Sequence, residues 1–323
     1  MEIKIFYSKD WIDYELLDTG EGEKLEKFGS HTFVRPYEDA VWPKTLTKGW
    51  ENIDGKFWSS KVGAKAGWKM SKADFDKKWE MQYKGIKFLA SPTPFRHLGF
   101  FPEQALHWDF IEEKINKANS AKNFLETAPS ESKGQGTHTF LKNSLPNSHV
   151  PKIKFLNLFG YTGVASLFAL KAGAEVTHVD ASKQTLKWAK ENQKLNAELT
   201  EAPMRIIEDD ALKFLERELK RGNKYDAIIM DPPKFGRGSR GETWKLEEML
   251  PKLLTLAQKV LSDKPLFVIL TSYATDSSSL TLSYALEEMM KDFCGTVEAG
   301  ELCVLEKSNN RVISLANTAV WSL

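Results

Sequence analysis

The sequence predicts an α/β chain: a mostly parallel sheet wound with helices over residues 151–323, preceded by a smaller β-rich or α+β unit. Three observations carry that reading. Lys154 to Asp180 reads KFLNLFGYTGVASLFALKAGAEVTHVD, in which a short apolar run is followed by a tight turn, an apolar helix and a second apolar run ending on an acid. Tyr225 to Met230 is another buried-strand run, and it stops at Asp231-Pro232-Pro233-Lys234-Phe235. Between and beyond these, strand-length apolar runs alternate with helix-period segments, the pattern of a parallel sheet with crossover helices.

Each element follows from local signals. Ile153 to Leu158 has the length of a buried strand, and Phe159-Gly160-Tyr161-Thr162-Gly163 is the turn after it. Val164 to Lys171 is helical and Gly173 ends it. Glu175 to Val179 is the second strand, with Asp180 at its tip. Ser182 is placed to cap a helix running to about Asn196, with Leu186, Ala189 and Gln193 on one side and lysines on the other. Met204 to Ile207 is the third strand, closed by Glu208-Asp209-Asp210, and Ala211 to Lys220 the helix after it. Tyr225 to Met230 is the fourth strand. A glycine-arginine loop, Gly236 to Glu242, leads to an amphipathic helix from Trp244 to Leu261 that Pro251 should break or kink. Leu266 to Leu270, a helix from Leu280 to Met290, and two strands at about Gly295 to Leu305 and Arg311 to Trp321 complete the chain.

The turn after the first strand defines a ligand. Glycines allow backbone to approach a bound molecule, a helix N-terminus offers free N–H groups, and an acid at the second strand tip accepts from two ribose hydroxyls. A pyrophosphate fingerprint needs G-x-G-x-x-G, whereas this turn has Gly160 and Gly163, with Phe159 and Tyr161 where a diphosphate needs room. A nucleoside cofactor without phosphates, such as S-adenosylmethionine, fits better than a dinucleotide. The two prolines after Met230 forbid further ladder pairing and hold Asp231 rigidly at the carboxyl end of the sheet, where open α/β sheets bind ligands.

Composition sets outer limits. The chain has 323 residues, enough for two domains, and a net charge of +1, so no global field draws it to nucleic acid. No apolar run reaches the roughly 18 residues of a membrane span, and the N-terminus lacks a signal-peptide core. The two cysteines, Cys294 and Cys303, make neither a disulfide framework nor a zinc cluster, so no metal is expected and a reducing cytoplasm is the natural compartment.

The N-terminal part differs in character. Residues 1–90 hold short alternating runs (Glu2 to Tyr7, His31 to Arg35, Lys84 to Leu89) and six of the ten tryptophans: Trp11, Trp42, Trp50, Trp58, Trp68 and Trp79. Between Lys44 and Lys87 stand eleven lysines against five acids, about +6 for the stretch. Lysines among aromatics suit phosphate contact with base stacking, and suit equally a solvated face over core tryptophans. Residues 91–118 form a junction opened by Pro92 and Pro94, with Trp108, Ile111 and Ile115 as a helical stripe. Residues 119–150, rich in Ser, Asn, Thr, Gly and Pro, read as a mobile surface loop, with His138 and His149 as solvated loop histidines.

Taken together, NLFGYTG, HVDAS and DPPKF resemble class I S-adenosylmethionine-dependent methyltransferases. More narrowly they resemble the bacterial enzymes that methylate large-subunit ribosomal RNA at cytosine C5 or guanine N7. The likeness runs from about residue 95 to 323. It implies a Rossmann-like class I sheet of order 3-2-1-4-5-7-6 with the last-numbered strand antiparallel. It implies S-adenosylmethionine as cofactor, held by Asn157, Phe159, Gly160, Tyr161, Thr162, Gly163, Asp180, Ala181, Ser182, Asp210 and Asp231. Of these, Asp210 would receive the adenine amino group. The family's Gly-aromatic-aromatic segment ending in acid, Gln and Arg reads here Gly99-Phe100-Phe101-Pro102-Glu103-Gln104-Ala105, without the Arg. It leaves Phe100 and Gln104 as walls of the cofactor site.

Methyl transfer from a sulfonium is an in-line displacement that needs orientation more than a nucleophilic triad. Asp231, Pro232 and Pro233 would place the acceptor, Phe235 would stack on a base, and Lys234, Arg237 and Arg240 would meet phosphate or a base oxygen. Cytosine C5 is a weak nucleophile whose methylation calls for a cysteine adding at C6. The fourth and fifth strand tips, Asp231-Pro232-Pro233-Lys234 and Thr271-Ser272-Tyr273-Ala274, hold none. A base nitrogen in ribosomal RNA is therefore the expected acceptor. The alternatives are cytosine C5, a protein or a small molecule, with a nicotinamide oxidoreductase or a non-catalytic binding module further off. The oxidoreductase would need a third turn glycine and gives no reason for Asp-Pro-Pro.

Overall fold

The computed structural model describes residues 2–9, 11–59, 66–72, 75, 78–127, 152–237, 243–273 and 278–323. Its strands and helices in chain order are β1 (Ile3–Tyr7), β2 (Tyr14–Gly20), β3 (Glu23–Phe28), β4 (His31–Pro36), β5 (Gly55–Trp58), β6 (Gly67–Met70), β7 (Trp79–Tyr83), β8 (Ile86–Ala90) and α1 (Ala105–Thr127). The second half adds β9 (Lys154–Leu158), α2 (Val164–Lys171), β10 (Glu175–Asp180), α3 (Lys183–Lys194), β11 (Met204–Glu208), α4 (Ala211–Arg221) and β12 (Ala227–Met230). It ends with β13 (Phe235–Arg237), β14 (Thr243–Lys245), α5 (Leu246–Lys259), β15 (Phe267–Ser272), α6 (Ser279–Met290), β16 (Thr296–Leu305) and β17 (Val312–Ser322).

The large sheet has the order β11-β10-β9-β12-β15-β17-β16-β1. Counted from β9, its first seven strands stand as 3-2-1-4-5-7-6, with β17 antiparallel to both neighbours. The central strands β12 and β15 are buried along their whole length, as parallel strands covered by helices on both faces must be. The eighth strand corrects the expected grouping of the first 90 residues. Ile3–Tyr7 does not stay with the N-terminal strands but pairs parallel to β16 at the sheet's edge. Gly300 permits this, since a Cβ there would lie 1.8 Å from the Lys4 carbonyl oxygen.

The remaining N-terminal strands form a five-stranded sheet, β2-β3-β4-β5-β6, and the hairpin β7-β8. Their side chains continue the core of the large sheet: Trp11, Phe28 and Phe88 pack on Phe100, and Trp108 of α1 stacks on Phe168 of α2 with centroids 5.6 Å apart. The turn between β16 and β17 docks on β2, where Lys307 N–H donates to the Leu16 carbonyl and Ser308 Oγ to Asp18.

Two expectations change with the structure. Helix α1 runs on to Thr127, so residues 119–127 are helical and not loop; Asn119 Nδ2 caps the Ala172 carbonyl of α2 at 2.8 Å. The rest of that stretch, with His138 and His149, lies outside the described residues. Pro251 stands in the sixth position of α5, and the helix continues through it to Lys259. Among the described residues no helix is long and apolar enough to cross a membrane, and no group of three or more His, Cys, Asp or Glu is placed to hold a metal.

Five of the six N-terminal tryptophans are fastened inward. The indole N–H groups of Trp11, Trp42, Trp50, Trp68 and Trp79 donate to Gln82, Thr19, Asp18, Thr93 and Phe28 respectively. Trp58 is 52% exposed, with the Lys56 ammonium 4.5 Å from its ring. Several lysines of this stretch are in ion pairs: Lys44 and Lys56 with Glu23, Lys78 with Glu191, Lys84 with Asp109 and Lys87 with Glu80. The surface is thus mainly a core of indoles under paired lysines; Lys61, Lys65 and Lys77 lie outside the described residues.

Candidate active site

A cavity of about 540 Å³ opens at the carboxyl ends of β9 to β12. Phe159, Tyr161, Asp180, Ala181, Ser182 and Asp210 line one side, and Asp231, Pro233, Lys234 and Trp244 the other. This is the crevice where strand order reverses in an open α/β sheet.

The turn after β9 is built differently from the glycine-loop expectation. Phe159 and Tyr161 have φ of 59° and 52°, so two aromatic residues occupy the left-handed region that glycine normally takes. Gly160 has no positive φ; its missing side chain makes room for the interior, since a Cβ would lie 2.3 Å from His178 Cε1 and 3.1 Å from Asn157 Cγ. Gly163, with φ of 84°, is the N-cap of α2. Gly160, Thr162, Gly163 and Asn157 hold the turn from behind, away from the cavity's surface. Asn157 Nδ2 donates to Ser166 Oγ, Ser166 Oγ meets His178 Nδ1, and Thr162 Oγ1 donates to the Gly99 carbonyl. Burial pushes His178 down to about 4, so its imidazole is neutral at pH 7. Gly160→Ala should therefore lower stability by about 1–3 kcal/mol through overpacking, read as a fall in Tm.

Asp180 organises the turn from the front. Its Oδ2 accepts from the Tyr161 N–H at 2.9 Å, and its Oδ1 from the Ser182 N–H at 2.8 Å and Thr185 Oγ1 at 2.9 Å. Ser182 in turn caps α3 by accepting from the Thr185 N–H. Asp210 caps α4 by accepting from the Lys213 N–H, and Asp209 is paired with Arg217.

Asp231 stands at the tip of β12. Its Oδ2 accepts from Gln104 Nε2 at 3.3 Å, and its Oδ1 is buried without a hydrogen-bond partner. Burial, and then the Glu103 carboxyl, raise it to about 8, so it is mostly protonated at pH 7. Gln104 also reaches the Tyr273 hydroxyl at 3.1 Å and His107 Nδ1 at 2.7 Å. Burial holds His107 down to about 3; the neutral ring therefore donates from Nδ1 to Gln104 Oε1 and turns the amide nitrogen towards Asp231. The next residues are clamped by the β13-β14 hairpin: Trp244 Nε1 donates to the Pro233 carbonyl at 2.6 Å and the Leu246 N–H to the Lys234 carbonyl at 3.0 Å. Pro232 is buried, whereas Pro233 and Lys234 face outward and Phe235 is 58% exposed. Arg240 and the Arg237 side chain lie outside the described residues.

Phe100 is placed elsewhere than expected. It is 2% exposed and packs among Trp11, Phe28 and Phe88, and its neighbour Phe101 lines the cavity instead, 5.7 Å from Tyr161 and 4.9 Å from Tyr273. Adjacent residues entering the short 3-10 turn at Pro102–Gln104 point opposite ways, so one of the pair had to be core. His97, Trp244 and Tyr273 are further lining residues that motif reading missed. Tyr273 follows the tip of β15 directly, and the rule that ligands sit at strand carboxyl ends could have found it.

A seven-strand order of 3-2-1-4-5-7-6, a strand-tip acid behind a tight turn, and Asp-Pro-Pro after the fourth strand define an S-adenosylmethionine-type methyltransferase site. Comparison with known proteins agrees. A crystal structure of the SAM-dependent methyltransferase from Agrobacterium tumefaciens superposes with a TM-score of 0.83 at 38% identity, over 99% of this chain and 93% of that one. The chain belongs to the S-adenosylmethionine-dependent methyltransferases. The family model "Conserved hypothetical protein 95" matches residues 137–295. Ribosomal RNA large subunit methyltransferase K/L of Pseudoalteromonas translucida is 40% identical over 111 residues, 34% of this chain and 15% of that protein. Ribosomal RNA large subunit methyltransferase K of Neisseria meningitidis is 32% identical over 143 residues, 43% of this chain and 40% of that protein. The matched stretch thus spans well under half the length of either ribosomal RNA enzyme.

The residues present fit the cofactor. Asp180 keeps an acceptor position on Oδ2 for a ribose hydroxyl, and Asp210 an acceptor for an amino group. S-adenosylmethionine would supply an activated methyl group on a positively charged sulfur.

Proposed function

We propose that this protein methylates a base nitrogen in ribosomal RNA, using S-adenosylmethionine held by Tyr161, Asp180, Ala181, Ser182 and Asp210. The observation that carries the reading is Asp231, a lining residue of the cavity whose carboxyl is held by Gln104 on Oδ2 and has no hydrogen-bond partner on its buried Oδ1, with an exposed Phe235 four residues on. Asp231 accepts an N–H of the acceptor and orients its lone pair, the exposed Phe235 stacks on a neighbouring base of the same RNA, and Lys234 lies where RNA phosphate or a base oxygen would pass. The clamped Asp-Pro-Pro turn keeps these groups from reorganising during transfer. The ribosomal RNA activities of the partly matching relatives support the substrate class.

A nitrogen acceptor needs no covalent enzyme adduct, and the cysteines are ill placed to make one. Cys303 is 2% exposed within β16, and burial and Glu301 push its thiol up to about 12. Cys294 precedes β16, at the end of the sheet opposite the cavity. Replacing both by alanine should leave turnover within about threefold of the parent, because neither thiol lines the cavity that holds Asp231. A folded but inactive double variant would return cytosine C5 as the acceptor.

The decisive measurement incubates the purified protein and tritiated cofactor with ribosomal RNA, ribosomal protein and a cell-extract small-molecule fraction. Label in RNA that digests to an N-methylated nucleoside is the expected result. Label confined to protein or small molecules would overturn the proposal.

A further inference from the structure

A second cavity of about 530 Å³ adjoins the first, and Arg96, His97, Phe101 and Tyr273 line both. It lies over the other half of the sheet, with Ser272 at the end of β15, Glu301 of β16 and Val312 to Asn317 at the start of β17. The paired Ser272 and Asn317 fix this as the carboxyl end of the parallel strands, the same end as the cofactor cavity. Its far wall comes from the N-terminal sheet: Lys24 of β3, Arg35 and Pro36 of β4, and Tyr37 and Trp42 beyond them.

Two buried charged groups line this cavity, and the protein leaves each with spare hydrogen-bonding positions. Lys24 is 8% exposed, and its ion pair is a long 3.4 Å contact to Glu26 Oε1. That carboxylate already takes two bonds of 2.6 Å from Arg35 and one of 2.9 Å from Tyr14. Glu103 is 4% exposed, and its carboxyl has the Tyr273 hydroxyl and its own backbone N–H as partners. A buried ammonium with three donors and a buried carboxyl with several acceptor positions are costly unless a further group completes them. Burial correspondingly pushes Lys24 down to about 8 and Glu103 upward, each towards its neutral form.

We infer that this second cavity receives the acceptor base, and that Lys24 and Glu103 read its hydrogen-bonding edge. This deepens the proposed function and rests on it. The shared wall of Phe101, His97 and Tyr273 gives a planar ring faces to pack on, and the Watson–Crick edge of each nucleobase carries both an acceptor for Lys24 and an N–H for Glu103. A phosphate is a poor occupant, because the cations Lys24, Arg35 and Arg96 are matched by the acids Glu38, Asp39, Glu103 and Glu301. The N-terminal unit then acts as one wall of the acceptor pocket, and RNA selectivity is built where its β3 and β4 meet the methyltransferase sheet.

The test compares Lys24→Met, Glu103→Gln and Val312→Trp with the parent, reading S-adenosylhomocysteine affinity by calorimetry and kcat and KM for ribosomal RNA methylation. The two buried substitutions are checked for folding by Tm. Val312 is 39% exposed at the cavity's edge, so its replacement narrows the pocket without disturbing the core. Cofactor-product affinity should stay within about threefold, and kcat/KM for RNA should fall at least about thirtyfold in each variant, in line with losing a buried base contact. A tenfold loss of S-adenosylhomocysteine affinity would show that the cavity holds the cofactor's amino-acid end and would overturn the inference. So would unchanged kcat/KM in folded variants. A parent that labels no RNA would instead sink the underlying function, an outcome distinct from a parent that labels RNA and variants that match it.

Discussion

Asp231→Ala should lower kcat by about a thousandfold while leaving S-adenosylhomocysteine affinity within about tenfold, the signature of a group used on the acceptor during transfer. The expectation follows from how the carboxyl is held. One oxygen is fixed by Gln104, which His107 orients from behind, and the other is buried with no protein partner. A side chain so completely positioned and so incompletely satisfied does little for the empty fold. Single-turnover methylation with saturating cofactor isolates the step; an equal loss of affinity and turnover would assign Asp231 to holding the cofactor.

The same residue sets a pH dependence whose sign can be worked out. Its folded-state value, about 8, lies above the unfolded carboxylate range near 4, because burial and Glu103 disfavour the charge. Below about 8 the free protein carries Asp231 protonated. If the ionised form accepts the acceptor's proton, kcat/KM should rise with pH up to that value, and Asp231→Asn should abolish the rise. Linkage gives an independent reading. A raised carboxyl favours the folded state at low pH, and that contribution is lost as pH rises through the folded value. Asp231→Asn should accordingly gain Tm relative to the parent at pH 9 and show less gain at pH 6.

The catalytic sheet was legible because its signals are local. Three apolar runs that end at Phe159, Asp180 and Asp231 place cavity-lining groups by strand register alone, and the central parallel strands, buried on both faces, leave little ambiguity of period. What escaped the sequence depends on non-local packing. Nothing near Ile3–Tyr7 says that it will cross to β16; that pairing needs Gly300, almost 300 residues away. Phe100 and Phe101 are indistinguishable by type, and the aromatic cluster of Trp11, Phe28 and Phe88 decides which of them is core. The glycines of the turn were identified but not their purpose. Gly160 serves His178 behind the turn, and the left-handed backbone is carried by Phe159 and Tyr161. Lys24 carries no motif and Glu103 reads only as the acid of the Gly99 to Ala105 segment, because a lysine in a strand and a glutamate after a proline look solvated until burial is seen.

Asp180→Ala should weaken S-adenosylhomocysteine binding by about a hundredfold, roughly 2–3 kcal/mol, and lower Tm by a few degrees. Two losses combine. Within the protein the carboxylate satisfies the N–H groups of Tyr161 and Ser182 and the Thr185 hydroxyl, so alanine leaves three donors unpaired at once and frees a turn already bearing two non-glycine residues at positive φ. On the proposed assignment it also removes the acceptor for the ribose hydroxyls. Thr185→Val separates these contributions, because it deletes one donor to Asp180 Oδ1 and leaves the carboxylate in the cavity. That variant should keep affinity within about threefold. Calorimetry with S-adenosylhomocysteine and with NAD checks both steps: tight binding by Asp180→Ala would remove Asp180 from the ribose site, and preference for NAD in the parent would remove the methyl-donor assignment altogether.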